Sequence, residues 1–137
     1  DGMDLCLVTI DEDQKKIYFS GANNPLLLLR KGAEELEVYK ADKQPIGGSS
    51  EGEKREFTLN ELDFEKGDQI FLFSDGYPDQ FGGPKNKKFM MKRFKKTILE
   101  TAHLTKTEQK SVLDSKLLEW MGTEEQVDDI LVIGITL

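Results

Sequence analysis

Acidic residues lie at the ends of two short apolar runs, and they are the strongest candidates for chemistry in this sequence. Residues 70–73 (Ile-Phe-Leu-Phe) lead into Ser-Asp-Gly, which places Asp75 two residues after the end of an apolar run. Asp128 and Asp129 stand immediately before a second run, residues 130–133 (Ile-Leu-Val-Ile). Short runs of β-branched, aliphatic and aromatic residues predict strands that are buried on both faces. Two such strands would hold the carboxylates on a rigid scaffold.

Carboxylates that are held close together repel each other unless a cation lies between them. Sites made only of oxygen atoms suit hard divalent ions such as Mg²⁺ or Mn²⁺. The adjacent Asp128 and Asp129 are also unfavourable at a strand start, because their charges repel and Asp is disfavoured in strands. The residues alone therefore favour a metal site that is formed by Asp75 and the Asp128-Asp129 pair. The alternative is a purely structural β-sandwich in which Asp75-Gly76 is an ordinary turn.

Length and composition indicate one folded domain. The chain has 137 residues, and a hydrophobic content of 37% with eight Phe supports a packed core. The only cysteine, Cys6, excludes an internal disulfide and fits a reducing, cytoplasmic setting. Its apolar neighbours predict a packing role for Cys6 and not a reactive thiol. The longest aliphatic run, residues 26–29, is far shorter than the roughly 20 residues of a spanning helix, so no direct membrane contact is expected.

Charge is distributed unevenly along the chain. The net charge of −7 argues against general nucleic-acid binding, yet seven lysine and arginine residues crowd residues 85–96. The simplest interpretation of this cluster is the solvated face of a helix. The alternative is a positive rim that attracts phosphate or an acidic protein partner. Aromatic residues in this segment do not have the spacing of a base-stacking surface, so no nucleic-acid partner is expected.

Other common catalytic sites lack support. His103 is the only histidine, and no cysteine stands at ligand spacing to it, so a zinc site is not expected. The sequence contains no G-x-S-x-G motif, which argues against a serine nucleophile of that type. Glycine patterns of the Walker and dinucleotide-binding types are also absent.

The first two thirds of the chain have the pattern of strands, and a final strand closes it. The predicted strands cover residues 3–10, 16–20, 26–30, 36–38, 56–59, 69–74 and 130–137. A loop is predicted over residues 41–52, with its least constrained point at residues 47–50.

Two helices are predicted after residue 84, where the apolar period changes to about four. The first would bury a stripe of four residues: Met90, Phe94, Ile98 and Ala102. Thr105 and Glu108 have the spacing of a capping box that starts the second helix. Gly122 is its predicted stop. The core face of this helix would be Leu113, Leu117, Trp120 and Met121. The sequence therefore predicts one α+β unit without repeats or linkers.

Four segments of the chain resemble motifs of one family, the PPM-type metal-dependent serine/threonine phosphatases of the stage II sporulation protein E branch. Residues 21–26 resemble the N-A-G-H-P-P-like loop of that branch, and residues 45–47 resemble its P-L-G segment. Residues 67–76 resemble its G-D-x-L-L-L-Y-T-D-G motif, and residues 128–132 resemble its closing D-D-x-T-L-L-V motif. The order and spacing of the motifs agree across essentially the whole chain.

The resemblance implies a fold and a reaction. The fold would be an antiparallel β-sandwich with flanking helices, and residues 1–137 would be a single partial phosphatase domain. The site would hold two or three Mn²⁺ or Mg²⁺ ions. In such enzymes the metals lower the pKa of a bridging water, and the resulting hydroxide attacks phosphorus without a covalent intermediate.

The resemblance also assigns residues. Asp75 and Asp128 would be the catalytic metal ligands, and Gly76 would let the backbone approach the metals. Asp129 would orient a metal-bound water from the second shell. Two further residues, one of which replaces a histidine of the family, would line or brace the rim of the site: Asn23 and Asn24.

One family motif is missing from the sequence. The first metal motif, a G-D-V-S-G-H-G-like strand end, does not occur and would lie upstream of Asp1. The chain thus resembles the C-terminal two thirds of the domain, without its N-terminal strands and first helices. We expect such a fragment to bind metal weakly and to turn over poorly.

The resemblance further implies a context in bacterial signalling. Family members often act on small phosphoproteins that are antagonists of anti-sigma factors, and they sit behind a sensory or membrane module. The expected location is cytoplasmic, including the cytoplasmic part of a membrane-anchored sensor. The alternative function is a non-catalytic module that keeps the fold and binds a phosphoprotein or another partner.

Overall fold

The computed structural model describes residues 1–48 and 54–137. The chain divides into two compact units, of which the first contains residues 1–72 and 133–137 and the second contains residues 73–132. The part of the predicted loop that covers residues 49–52 lies outside the described residues. In its described part, isolated bridges join Met3 to Ile46 and Ala22 to Asp42.

Two antiparallel sheets form the first unit. The three-stranded sheet has the order β1-β2-β5, with β1 at Leu5–Asp11, β2 at Lys16–Ala22 and β5 at Asn60–Asp63. The hairpin between β1 and β2 places Asp11 opposite Lys16. The four-stranded sheet has the order β4-β3-β6-β9. Its strands are β3 (Leu26–Leu29), β4 (Glu37–Tyr39), β6 (Gln69–Phe73) and β9 (Val132–Thr136). The ends of β6 and β9 each run one residue into the second unit.

One hydrophobic core joins the two sheets of the first unit. Ile17 and Phe19 alternate with less buried residues along β2, while Leu26 and Leu28 of β3 and Ile70 of β6 are fully buried. Burial of such a side chain contributes roughly 1.5–3 kcal/mol. The two sheets therefore form the predicted β-sandwich, and the predicted α+β class with antiparallel sheets is confirmed.

Cys6 packs against this core as the sequence predicts. The side chain is half-buried, and burial raises the pKa of the Cys6 thiol to about 11. The thiolate is therefore scarce at neutral pH, which agrees with a packing role.

Three helices and a short hairpin form the second unit. The helices are α1 (Gly76–Asp79), α2 (Met90–Thr101) and α3 (Lys106–Met121), and the hairpin pairs β7 (Phe81–Gly82) with β8 (Lys87–Lys88). The capping box at the start of α3 is confirmed, because the Thr105 hydroxyl accepts from the Glu108 amide and the Glu108 carboxylate accepts from the Thr105 amide. Gly122 ends α3 as predicted. The core of this unit contains an aromatic cluster of Phe73, Tyr77, Phe89, Phe94 and Trp120.

Three predictions about these elements are wrong. The strand expected at residues 56–59 lies at Asn60–Asp63, because the Thr58 amide and hydroxyl bind the Asp42 carboxylate and leave no ladder at that point. Met90 is 54% exposed and not in the core, because its φ of 76° takes it off the helical stripe. Strand β9 is not buried on both faces, since it is an edge strand and Ile133 is 42% exposed.

Candidate metal centre

Asp75 stands at the junction of strand β6 and helix α1. It is the N-cap residue of α1, and its carbonyl oxygen accepts from the Asp79 amide at 2.9 Å. Its side chain does not cap the helix, and it is exposed between the buried Phe73 and Gly76. The carboxylate is therefore held at the surface by a buried strand end, as the apolar run predicts.

Ser74 joins this junction to the segment that carries the second acidic pair. Its amide donates to the Leu131 carbonyl at 3.0 Å. Its hydroxyl donates to the Asp129 carbonyl at 2.8 Å and accepts from the Leu131 amide at 2.9 Å. Three hydrogen bonds thus fix the backbone at Asp129 and Leu131 against the residue that precedes Asp75. We call residues 74–76 together with residues 129–131 the acidic junction.

Gly76 completes the acidic junction by close approach. A Cβ atom built on Gly76 would lie 2.2 Å from the carbonyl oxygen of Asp129 and 2.9 Å from its carbonyl carbon. Real Cβ atoms do not come this close to backbone atoms, so any other residue would force the two segments apart. Glycine at this position permits the backbone contact. That Gly76 also lets the backbone approach a metal remains a prediction.

Tyr77 anchors helix α1 directly behind the acidic junction. Its side chain is 2% exposed, and its hydroxyl donates to the Leu113 carbonyl of α3 at 2.6 Å. Burial, with a smaller contribution from the charge of Asp114, raises the pKa of Tyr77. The phenol therefore stays protonated and keeps the donated hydrogen bond across the neutral range.

Asp128 and Asp129 lie in the irregular segment before strand β9, and both are exposed. One carboxylate oxygen of Asp128 accepts from the Asp129 amide at 2.7 Å, which fixes the local turn. The Gln126 side chain donates to the Asp128 carbonyl at 2.8 Å. The Asp129 carbonyl is the atom that contacts both Ser74 and Gly76.

The two predicted rim residues belong to the first unit. Asn23 has a φ of 61°, and its side-chain amide donates to the Asp4 carboxylate at 2.8 Å. Its backbone amide donates to the Asp42 carbonyl at 2.9 Å, and the Asn24 amide donates to the Ala22 carbonyl at 2.7 Å. Both residues thus brace the turn between β2 and β3. Their predicted place at the rim of a metal site remains untested.

The donor chemistry of the acidic junction and of Asp128 fits a hard divalent cation. Aspartate carboxylates are the ligands that Mg²⁺ and Mn²⁺ prefer, and Mg²⁺ commonly binds through one or two carboxylates while it keeps several waters. Over residues 1–48 and 54–137, no group of three or more His, Cys, Asp or Glu side chains is placed to hold a metal ion. The described residues therefore form no closed cage of protein ligands, and a cation on these aspartates would keep several waters.

Sequence patterns missed the hydroxyl of Ser74. The prediction used the apolar run and the two acidic ends but gave Ser74 no role. The only local indication was the position of this hydroxyl between a buried strand and an exposed carboxylate. The partners of Ser74 lie 55 and 57 residues away in the sequence, so no local pattern could identify them.

Comparison with solved structures defines the class of fold. The SiaA-PP2C domain of Pseudomonas aeruginosa matches with a TM-score of 0.88 and 26% identity, over 98% of this chain and 51% of that chain. A Bacillus subtilis structure of the PP2C phosphatase domain and a fragment of the regulatory domain of SpoIIE matches with a TM-score of 0.72 and 20% identity, over 98% and 37%. The Mycobacterium tuberculosis serine/threonine phosphatase PstP/Ppp matches with a TM-score of 0.62 and 18% identity, over 99% and 60%. The fold is that of PP2C-type serine/threonine phosphatase domains.

Sequence comparison gives the family. The profile of the family described as Stage II sporulation protein E (SpoIIE) matches residues 2–137. The chain therefore belongs to the stage II sporulation protein E family, and the predicted resemblance is confirmed. The chain spans about half the length of the SiaA-PP2C domain structure. A search of curated protein sequences found no match. Within residues 1–48 and 54–137, no helix combines the length and the apolar character that a bilayer crossing requires.

Proposed function

We propose that the chain is the part of a phosphatase domain that supplies Asp75 and Asp128 to a divalent metal site, and that the whole domain hydrolyses phosphoserine or phosphothreonine on a protein. The acidic junction is the observation that carries this proposal, because Ser74 and Gly76 fix the backbone beside Asp75 against that of Asp129. Membership of the stage II sporulation protein E family supports the reaction class.

The residues of the chain have separate parts in this proposal. Asp75 and Asp128 would hold Mn²⁺ or Mg²⁺ through carboxylate oxygens, and Asp129 would orient a water next to them. Gly76 and Ser74 are positioning residues, since they act on the backbone that carries the acids. A divalent ion in such a site would polarise phosphoryl oxygens and activate water for attack. We place Asn23 and Asn24 at the rim on the family resemblance alone.

The biological setting is a further part of the proposal. A bacterial signalling role fits the family, with a small phosphoprotein such as an anti-sigma-factor antagonist as substrate and a cytoplasmic site of action. The 137 residues contain no G-D-V-S-G-H-G-like segment. We therefore expect the chain alone to bind metal weakly and to hydrolyse phosphate esters poorly.

A phosphatase assay on the complete protein that contains this chain tests the function. Asp75→Asn should abolish Mn²⁺-dependent release of phosphate from a phosphoserine protein and leave the circular dichroism spectrum unchanged. Asp13→Asn, which removes an exposed carboxylate from the turn between β1 and β2, is the matched control and should keep its activity. Retained hydrolysis in Asp75→Asn would remove that residue from the site.

A non-catalytic binding module is the second candidate. It is favoured by one finding, that the described residues hold no group of three or more potential ligands at one point. This candidate predicts no calorimetric heat of Mn²⁺ binding that depends on Asp128. The phosphatase proposal predicts that Asp128→Asn reduces that heat in the complete protein.

A further inference from the structure

The second unit has a strongly basic surface in an acidic chain. Residues 85–96 hold seven of the 19 basic residues and none of the 26 acidic ones. They cover the turn of the β7–β8 hairpin, strand β8 and the first two turns of α2. All seven cationic side chains are exposed except Lys95, which is half-buried. We call residues 85–96 the basic ridge.

Most charges of the basic ridge are not neutralised within the protein. Lys88 pairs with Asp79 at 3.4 Å and Lys96 approaches Glu100 at 3.8 Å, both at the surface. Exposed pairs of this kind are worth less than about 1 kcal/mol and exchange easily for another anion. The remaining lysines have no ion pair within residues 1–48 and 54–137: Lys85, Lys87, Lys92 and Lys95.

A cleft of about 410 Å³ opens beside the basic ridge, within the second unit. It lies between the hairpin turn and the two long helices, and its lining includes Pro84, Phe89, Arg93, Lys96, Glu119 and Trp120. The Arg93 guanidinium lies 4.7 Å from the centre of the Trp120 ring, and the Phe89 ring meets Trp120 edge-on at 5.4 Å.

We propose that the basic ridge and this cleft form a docking surface for an acidic segment of the phosphoprotein substrate. The identity of the partner rests on the proposed function, whereas the binding itself does not. Charge complementarity carries the inference, because the lysines of the ridge that have no ion pair flank a partly aromatic cleft lined by Arg93 and Lys96, and together these cations attract carboxylates.

Other anionic partners fit the surface less well. Arg93 covers one face of Trp120, so that face is not free to stack on a nucleobase. Glu100 and Glu119 line the same cleft and would repel a continuous row of negative charges there, so the acidic residues of the partner would lie on the ridge and its backbone in the cleft. Both glutamates can accept hydrogen bonds from the backbone amides of a peptide. The mixed lining therefore favours a polypeptide.

The docking surface is close enough to the acidic junction for one substrate to reach both. Helix α1 and strand β7 connect Asp75 to Gly83, which are eight residues apart and thus no more than about 29 Å along the chain. An extended peptide of similar length could place its acidic flank on the basic ridge and its phosphoserine near Asp75.

Fluorescence of Trp120 gives a direct test, because it is the only tryptophan of the chain. The 137-residue chain is titrated with a tryptophan-free phosphoserine peptide that has glutamate-rich flanks. We expect saturable binding that changes the Trp120 emission. The affinity should fall when NaCl is raised from about 50 to about 300 mM. The analogue with glutamine in place of glutamate should bind at least about tenfold more weakly.

Charge-reversed variants show whether the ridge is the binding surface. Lys92→Glu with Lys96→Glu should weaken binding about tenfold or more, and Lys92→Gln with Lys96→Gln should do so to a smaller extent. Lys40→Glu with Lys110→Glu makes the same change in net charge at residues that belong neither to the basic ridge nor to the lining of the cleft, and it should shift the affinity less than about twofold. Unfolding midpoints in urea of all variants should match the parent.

Several results would overturn the docking proposal. They are an unchanged Trp120 emission, equal binding of the glutamine analogue, or equal losses in both pairs of charge-reversed variants. Tighter binding of phosphatidylserine vesicles or of single-stranded RNA than of the peptide would assign the ridge to a membrane or to nucleic acid. Hydrolysis of p-nitrophenyl phosphate by the complete protein is measured in parallel. Peptide binding without any hydrolysis would reject the phosphatase function and leave the docking surface in place.

Discussion

A Cβ atom on Gly76 would lie 2.2 Å from the carbonyl oxygen of Asp129, so the two residues meet backbone to backbone. Together with the hydrogen bonds of Ser74, this contact joins two parts of the chain that are 55 residues apart. The first part carries Asp75 and the second carries Asp128 and Asp129, the acids that the sequence singles out. The contact explains why glycine follows Asp75 in physical terms, without reference to the family.

Gly76→Ala should therefore disrupt the acidic junction. The added methyl meets backbone atoms, which cannot move aside as a flexible side chain can, and overpacking of this kind costs about 1–3 kcal/mol. We expect faster hydrogen exchange of the Leu131 amide, measured by NMR, and weaker Mn²⁺ binding.

Gly32→Ala is the matched control for this substitution. Gly32 has a φ of 76°, and no atom lies within 4 Å of the position that a methyl group would take. Alanine there introduces backbone strain of about 1–2 kcal/mol without a clash. It should leave the Leu131 amide unaffected. Equal exchange rates of that amide in the parent and in Gly76→Ala would show that the junction tolerates a methyl group.

Ser74→Ala should loosen the same junction by a different route. It removes the donor to the Asp129 carbonyl and the acceptor for the Leu131 amide, while the backbone bond from the Ser74 amide to Leu131 remains. The expected loss is about 1–2 kcal/mol in the free energy of unfolding, measured in urea. Ser74→Thr keeps the hydroxyl and should retain most of the unfolding free energy that Ser74→Ala loses.

Ser20→Ala provides the comparison for the loss of a hydroxyl. The Ser20 hydroxyl makes one exposed hydrogen bond, to the Thr58 carbonyl at 3.0 Å. Its removal should cost less than the removal of the Ser74 hydroxyl. A Ser74→Ala variant that is as stable as Ser20→Ala would indicate that the two bonds of Ser74 contribute nothing to the junction.

Asp68 should make the stability of the first unit sensitive to acid. Its side chain is 2% exposed and accepts from the amides of Lys31 and Glu65 at 2.8 Å and from Arg30 at 3.3 Å. Burial alone would raise the pKa of Asp68, but the Glu65 and Lys31 amides and the Arg30 guanidinium outweigh it and lower that pKa. The charged form is therefore the one that the fold stabilises.

The sign of the pH dependence follows from this lowered pKa. The stabilisation is complete above the pKa of an unfolded Asp, about 3.9, and is lost as the pH falls through the lower folded value. Asp68→Asn should reduce the free energy of unfolding by about 1–3 kcal/mol at pH 7 and flatten its decline in acid. Asp13→Asn, in the exposed turn between β1 and β2, should leave the curve unchanged. An acid dependence that is the same in the parent and in Asp68→Asn would contradict this account.

Local patterns predicted the elements whose determinants are local. The capping box of Thr105 and Glu108 and the stop at Gly122 locate α3 correctly, because both signals act within one turn of the helix. The strand expected at residues 56–59 was misplaced, since the carboxylate of Asp42 binds Thr58 from 16 residues away. No propensity scale contains that contact.

The β7–β8 hairpin is another element that local sequence patterns could not predict. Each strand has two residues, too few for a periodic signal. The hairpin depends on tertiary contacts, because a Cβ atom on Gly82 would lie within bonding distance of the Trp120 carbonyl. At the candidate site, the residue types of Asp75 and Asp128 were visible in the sequence. The hydroxyl of Ser74 that joins their segments could be recognised only in three dimensions.

A double-mutant cycle with Mn²⁺ as the ligand tests the central claim most directly. The complete protein, Asp75→Asn, Asp128→Asn and the double variant are each titrated by calorimetry. If the two carboxylates share one cation, each single substitution should weaken Mn²⁺ binding by at least about tenfold, and the second should add little to the first. Unchanged Mn²⁺ affinity in both single variants would show that these aspartates do not form a metal site.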